Sequence, residues 1–270
     1  MNIIEVDEKG YQEKIKKDFC AFSTVQFQKT NIKKVERVRY FLFENGKTYY
    51  GICIGEKNRQ WISPFSAPFN LFTEIKHTSR ISVFQEVIRL LKEKAVEEKI
   101  KKLKFTLPPL FYDFRNIVYW ENAFLSNGFK IENYDINYQF DLRRISIDYE
   151  KYIARNARKN LHIALKSNLE FCHCETESGI IEAYKVIAEN RLEKGYPLRM
   201  SLEQVLKTIE IVTADFFLVK KDNISIAAAQ VFRITPTVAQ VIYWGDIRKY
   251  TEFKPINFLA YNLIQFYLRE

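Results

Sequence analysis

Apolar residues along the chain follow two rhythms, and the rhythm changes often enough to predict an α/β protein. After an apolar run at Ile3 to Val6, the spacing predicts a short helix near Tyr11 to Lys17. Val35 to Phe43 and Tyr49 to Ile54 are rich in β-branched and aromatic residues and flank Asn45-Gly46, a combination that predicts a hairpin with a two-residue turn. A third strand at Gln60 to Pro64 leads into Ser63-Pro64-Phe65-Ser66-Ala67-Pro68-Phe69-Asn70, where two prolines break either period and predict a loop. From Val83 to Val96, the residues Val83, Val87, Leu90, Leu91 and Ala95 recur at helical spacing. Leu103, Phe105 and Leu107 alternate as a strand that stops at Pro108-Pro109. A second helix over Asn116 to Ser126 ends at Asn127-Gly128, where Gly supplies the left-handed residue of a helix terminus, and alternation beyond it predicts a long strand to Leu142.

The pattern shifts at residues 143–150, and the domain boundary is expected there, between residues 145 and 146. Ser146 to Asp148 reads as a helix start, followed by a basic helix over 148–166 that carries Ile153, Ala157, Leu161 and Ala164 on one face. A strand at Leu169 to His173 and a helix near Ile180 to Leu192 come next. Ser201-x-x-Gln204 has the form of a capping box opening a further helix. Asp215 to Val219, Ile224 to Ile234 and Val238 to Trp244 read as three strands, and Pro255 opens a last helix to Tyr267. Each half therefore holds a strand meander, a loop and a helix, which suggests a duplicated α/β unit.

Composition narrows the class. With 47% hydrophobic residues in 270, the chain can bury a sizeable core, and no apolar run approaches the roughly 18 residues of a membrane span. The start lacks a basic segment followed by an apolar core, so the expected location is cytoplasmic. Cys20, Cys53, Cys172 and Cys174 match no zinc spacing and read as reduced thiols; strand alternation sends His173 away from the last two, and no metal site is expected. The net charge of +9 is uneven, with 25 basic against 18 acidic residues in the first 145 and 17 against 15 in the rest. That balance suits anionic partners but votes weakly.

Several motifs carry a resemblance. Arg155-Asn156-Ala157-Arg158-Lys159-Asn160-Leu161, with Ala164-Leu165-Lys166 and Leu169-Glu170 after it, resembles the hinge segment of the FemAB-like acyltransferases. These form the tandem-domain group of the GNAT superfamily that includes peptidoglycan aminoacyltransferases. Leu107-Pro108-Pro109-x-x-Tyr112-Asp113, Glu189-Asn190-Arg191-x-x-Lys194-Gly195 and Tyr243-Trp244-Gly245-Asp246 look like the same group. The resemblance implies two GNAT-like units, 1–145 and 146–270, each a mixed and largely antiparallel sheet flanked by helices, the second C-terminally short. The exposed sheet edge expected of a short second unit points to a homodimer.

It further implies transfer of an acyl or aminoacyl group to an amino group of a cell-envelope precursor or sugar, with acyl-CoA or aminoacyl-tRNA as donor. The pyrophosphate loop of acetyl-CoA users, Gln/Arg-x-x-Gly-x-Gly/Ala, occurs in neither half. Asn70 and Leu71 stand where Gly is common in the first half, and Tyr250-Thr251-Glu252-Phe253-Lys254-Pro255 has no Gly in the second. Acyl transfer asks mainly for positioning, so no short catalytic triad is expected.

Tyr243 and Asp246, at a strand end, are the candidate proton donor and acceptor, although an aromatic of the core and a turn aspartate would look the same. Arg155, Arg158, Tyr112, Arg191, Trp244 and Lys254 are the candidate substrate-binding residues, with the basic helix face otherwise a solvated one. An anionic small molecule or a tRNA-linked donor is the expected partner. Two other readings stay open: an inactive GNAT-like binding module and a basic RNA-binding protein.

Overall fold

The computed structural model describes residues 1–145 and 148–270, so the helix start read at Ser146 to Asp148 lies in part outside the described residues. The chain divides into two compact units. The first comprises residues 1–137 with the five residues 234–238, and the second comprises 138–233 and 239–270.

In the first unit, β1 (Asn2–Val6), α1 (Glu8–Lys14) and α2 (Val25–Thr30) precede the hairpin β2 (Arg37–Glu44) and β3 (Thr48–Lys57). Then come β4 (Gln60–Ser63), β5 (Thr73–Glu74), α3 (Ile81–Glu97), β6 (Lys102–Phe105) and α4 (Phe114–Ser126). Among the described residues these strands form a six-stranded sheet of order β1-β2-β3-β4-β6 with β5 on β3, and it is antiparallel except for the parallel pair β4 and β6. The centre of β2 is apolar at every position because both faces are covered. Phe41 and Phe43 pack with Trp61, Phe84, Leu91 and Trp120 under α3 and α4, while Tyr40 and Leu42 meet Tyr11 of α1 and Val25 of α2. Arg39 in the same strand is buried over Trp61 and paired to Glu5, Glu56 and Glu98.

The predicted two-residue turn is a three-residue one. Glu44 pairs with Thr48, a register irregularity follows Phe43, and Gly46 takes a positive φ of 64°. The long strand predicted up to Leu142 is absent: residues 129–141 join no ladder, and Tyr134, Ile136 and Tyr138 are exposed. Alternation states which faces a strand would present and cannot supply the partner edge that makes a ladder.

The second unit opens with three short helices, α5 (Leu142–Ile145), α6 (Tyr149–Tyr152) and α7 (Arg155–Leu165). The single basic helix expected over 148–166 is thus broken at Ile153-Ala154, where both residues are extended. After β7 (Glu170–His173), α8 (Glu177–Glu193) and α9 (Leu202–Ile209) come β8 (Ala214–Lys221), β9 (Ile224–Thr235), β10 (Val238–Asp246) and α10 (Pro255–Tyr267). The capping box at Ser201 and Gln204 is formed. The described strands make a four-stranded sheet of order β10-β9-β8-β7.

Its two faces sort by parity. Phe216, Leu218 and Ala228 pack under α8 and α9, and Phe217, Val219, Ala227, Ala229 and Val231 under α10. As alternation predicts, Cys172 and Cys174 lie with the α8 layer and His173 stacks on Phe217 across the sheet. The architecture is mixed α/β, two open sheets flanked by helices.

Candidate active site at the end of β10

Two of the sequence motifs meet where the C-terminal end of α8 crosses the end of β10. Helical spacing turns Ala183, Val186, Ile187 and Asn190 of α8 onto the sheet. Asn190 is 3% exposed, and its Nδ2 donates to the Asp246 carbonyl at 2.6 Å and reaches Asp246 Oδ1 at 3.4 Å. A Cβ at position 245 would fall 2.5 Å from Asn190 Cγ, so glycine there is what lets helix and strand approach this closely. One residue on, Arg191 sets its guanidinium carbon 5.5 Å from the ring centroid of Tyr243. Glu193 Oε2 accepts from the Arg248 amide at 3.3 Å, joining the helix end to the segment after β10.

Asp246 is half-buried, and burial pushes its carboxyl above the usual carboxylate range; Lys194 pulls it partly back and Glu193 adds to the rise. A carboxylate with raised proton affinity, held at a strand end by Asn190 and near Lys194 and Glu193, is a stronger base than an exposed aspartate. Tyr243 Oη makes no hydrogen bond among the described residues, which leaves it free to donate.

The other candidates are placed as follows. Trp244 is the alternate residue of β10, half-exposed. Lys254 adopts a left-handed backbone (φ 53°) and immediately precedes Pro255, the first residue of α10. Arg155 is exposed at the start of α7, whereas Arg158 is half-buried and donates through Nε (3.0 Å) and Nη2 (2.6 Å) to the Glu150 carbonyl of α6. Arg155, Arg158, Lys159, His162, Ile163 and Lys166 line a shallow depression; the first five belong to α7 and Lys166 is its C-cap. Tyr112 lies in the first unit, its ring 4.8 Å from Phe69 and 4.9 Å from Phe111, and burial pushes its hydroxyl pKa well up. Arg191 and Tyr243 are therefore in contact, and Asp246 is tied to the same helix end through Asn190. The motif that carries Arg191 also holds Asn190, whose part at the site follows from its contact with Asp246 across the fold.

The residues do not fit a coenzyme A pyrophosphate cradle. At the start of α10, Pro255 has no N–H, and the Asn257 and Phe258 amides already donate to the Lys254 carbonyl (3.0 and 3.3 Å). In the first unit the Asn70 amide donates to Thr106 O at 2.9 Å, and its side chain bridges Ser23 and Ser63. No group of His, Cys, Asp and Glu able to hold a metal ion occurs among the described residues, and none of their helices is long and apolar enough to cross a membrane.

No family model matches the chain, and no curated protein matches it in sequence. Solved structures do match in shape. The crystal structure of FemX superposes with a TM-score of 0.66 at 12% identity, over 100% of this chain and 86% of its own. The C-terminal DUF2156 domain of an Agrobacterium fabrum protein described as a lysylphosphatidylglycerol synthetase gives a TM-score of 0.54 at 11% identity, over 97% of this chain and 74% of its own. Along its whole length the chain has a FemAB-like acyltransferase fold.

Proposed function

We propose that the chain is an acyl- or aminoacyl-transferase that acylates an amino group of a cell-envelope precursor or sugar, with the reaction at the end of β10. The observation that carries this reading is the junction of α8 and β10, where Asn190 fixes Asp246 and Arg191 lies over Tyr243. The fold shared with FemX and the second neighbour's name, lysylphosphatidylglycerol synthetase, support it.

In this reading the substrate amine attacks the donor's carbonyl carbon. As the new C–N bond forms, the nitrogen loses a proton to the Asp246 carboxylate, whose raised affinity suits it to the task. Tyr243 donates a hydrogen bond to the oxygen on which negative charge gathers, and Arg191 stabilises that charge across a short, partly desolvated gap. The carbonyl carbon–oxygen bond of the donor ester then breaks, and the leaving oxygen takes up the proton held by Asp246 to depart as a hydroxyl. With no pyrophosphate cradle, an aminoacyl ester such as charged tRNA is the favoured donor over acyl-CoA. Incubating the protein with charged tRNA, acyl-CoA and amino-bearing UDP-sugars, and following label into amide, tests the reading. Binding of these compounds without transfer would instead make the chain a binding module.

A further inference from the structure

Positive charge is concentrated in one stretch of the second unit. Residues 142–166 hold seven Lys and Arg against two Asp and Glu, five of the chain's nine net positive charges, and no acidic residue occurs from position 151 to 169. Both acids are engaged, Asp148 with Lys151 (3.3 Å) and Glu150 with His162 (2.8 Å), while Arg143 and Arg144 share Asp141. Arg155, Lys159 and Lys166 are exposed and have no ion pair among the described residues.

Helical spacing of about 100° per residue gathers these cations. Arg155, Lys159, His162 and Lys166 fall within a stripe about 60° wide and about 16 Å long, on the side of α7 away from the buried Leu161 and Ala164. Ile163 and Leu165, 38% and 47% exposed, border the stripe on either side. The stability of the helix does not ask for this face. Its first turn has no acidic residue, Arg155 stands against the helix dipole, and Arg155 repels Lys159 one turn on. Cations held together without counter-ions and bordered by aliphatic side chains match a surface that supplies both anions and an apolar layer.

We propose that this face of α7 docks on an anionic lipid surface, with Arg155, Lys159 and Lys166 against headgroup phosphates and Ile163 and Leu165 at the apolar margin of the headgroup layer. Charge alone would serve RNA equally well. The helix, however, carries no Phe, Tyr or Trp on which a base could stack, and its exposed aliphatic pair gains only from an apolar medium. The contact is peripheral, none of the described helices being long and apolar enough to cross a membrane. It does not rest on the transferase reading.

The full chain is sedimented with vesicles of equal parts phosphatidylglycerol and phosphatidylcholine and with vesicles of phosphatidylcholine alone, and is titrated with bulk uncharged tRNA, each at low and at physiological salt. Wild-type protein is expected to bind the anionic vesicles, more weakly as salt rises, and to ignore the neutral ones. Arg155→Ala, Lys159→Ala and Lys166→Ala combined are expected to lower vesicle affinity about 100-fold, a factor of about five for each cation near an anionic surface. If that variant melts lower than the wild type, Lys166→Ala alone is read for its fivefold share. Ile163→Gln with Leu165→Gln is expected to weaken vesicle binding about threefold and to leave tRNA binding as it was. The proposal is overturned if wild-type protein does not distinguish the two kinds of vesicle, or if the cation variants bind as tightly as the wild type. It is also overturned if the glutamine pair leaves vesicle binding unchanged, the mark of a general polyanion surface such as RNA takes. Vesicle binding by a protein that transfers nothing would refute the transferase reading alone.

Discussion

A Cβ on Gly245 would lie 2.5 Å from Asn190 Cγ and 2.6 Å from its Cβ and Oδ1, well inside contact distance. Gly245→Ala must displace Asn190 and with it the hold on Asp246. It is expected to cost about 1–3 kcal/mol of stability, as overpacking does, measured by denaturant unfolding. The raised proton affinity of Asp246 has a direction in pH as well. If its carboxylate is the proton acceptor, transfer declines as pH falls through a pKa above that of an exposed aspartate, and Asp246→Asn removes that limb of the profile.

Asp18 offers a test on stability. Burial raises it to about 6, and its Oδ1 is sealed without a partner. Above pH 6 the folded protein holds this charge at a cost the unfolded chain does not bear, and the cost is relieved as pH falls toward 4. Asp18→Asn should therefore stabilise the protein at pH 8 and lose its advantage near pH 4 in paired thermal melts. None of this was legible in the sequence. Asn190 and Gly245 matter through what lies across the fold from them, and only their motif neighbours Arg191, Tyr243 and Asp246 carry side chains that sequence alone marks as candidates.

Among the elements, the broken helix changes what its basic face can do. Sequence periodicity ran through Ile153-Ala154 because both are compatible with the apolar stripe, yet the chain is extended there and α6 leaves a carbonyl that Arg158 takes up. Arg158→Ala is accordingly expected to destabilise the protein by about 1.5–3 kcal/mol, the worth of a charge-assisted bond. Arg155→Ala and Lys159→Ala, on exposed positions of α7, should stay within about 0.5 kcal/mol.

The C-terminal helix is fastened by a second polar device. Asp215 of β8 accepts from Arg233 of β9 (2.8 Å) and from Tyr267 of α10 (2.7 Å), with His173 of β7 at 3.3 Å. Although burial pulls its pKa up, the bonds from Arg233 and Tyr267 outweigh it and hold the carboxyl below its ordinary range. Asp215→Ala strands the Tyr267 phenol and leaves the Arg233 guanidinium with Glu270 alone, and should cost about 1–3 kcal/mol. Helices and strands with strong periodicity were readable to within a few residues. The three-residue turn at Asn45, the helix break and the unpaired 129–141 stretch were not, because each depends on a hydrogen-bond partner that periodicity does not name.

At the scale of the whole molecule, the alternation of strand meanders and amphipathic helices was enough to give a mixed α/β chain with two sheets, and the motifs were enough to give its acyltransferase-type fold. The position of the site was a different matter. Residues 190 and 246 are 56 apart in the chain, and their meeting follows from the order β10-β9-β8-β7 with α8 laid across it, a long-range arrangement that no local pattern encodes.

The central claim is that acyl transfer takes place at this junction. The most direct measurement is the initial rate of labelled aminoacyl transfer from charged tRNA to amino-bearing envelope precursors by the wild type and by Asp246→Asn, at pH 7.5 and equal folded concentration. Amide product from the wild type and a rate about 100-fold lower in the variant, the usual worth of a positioned general base, is the result expected. Transfer undiminished by Asp246→Asn, or no product from the wild type with any donor offered, would contradict it.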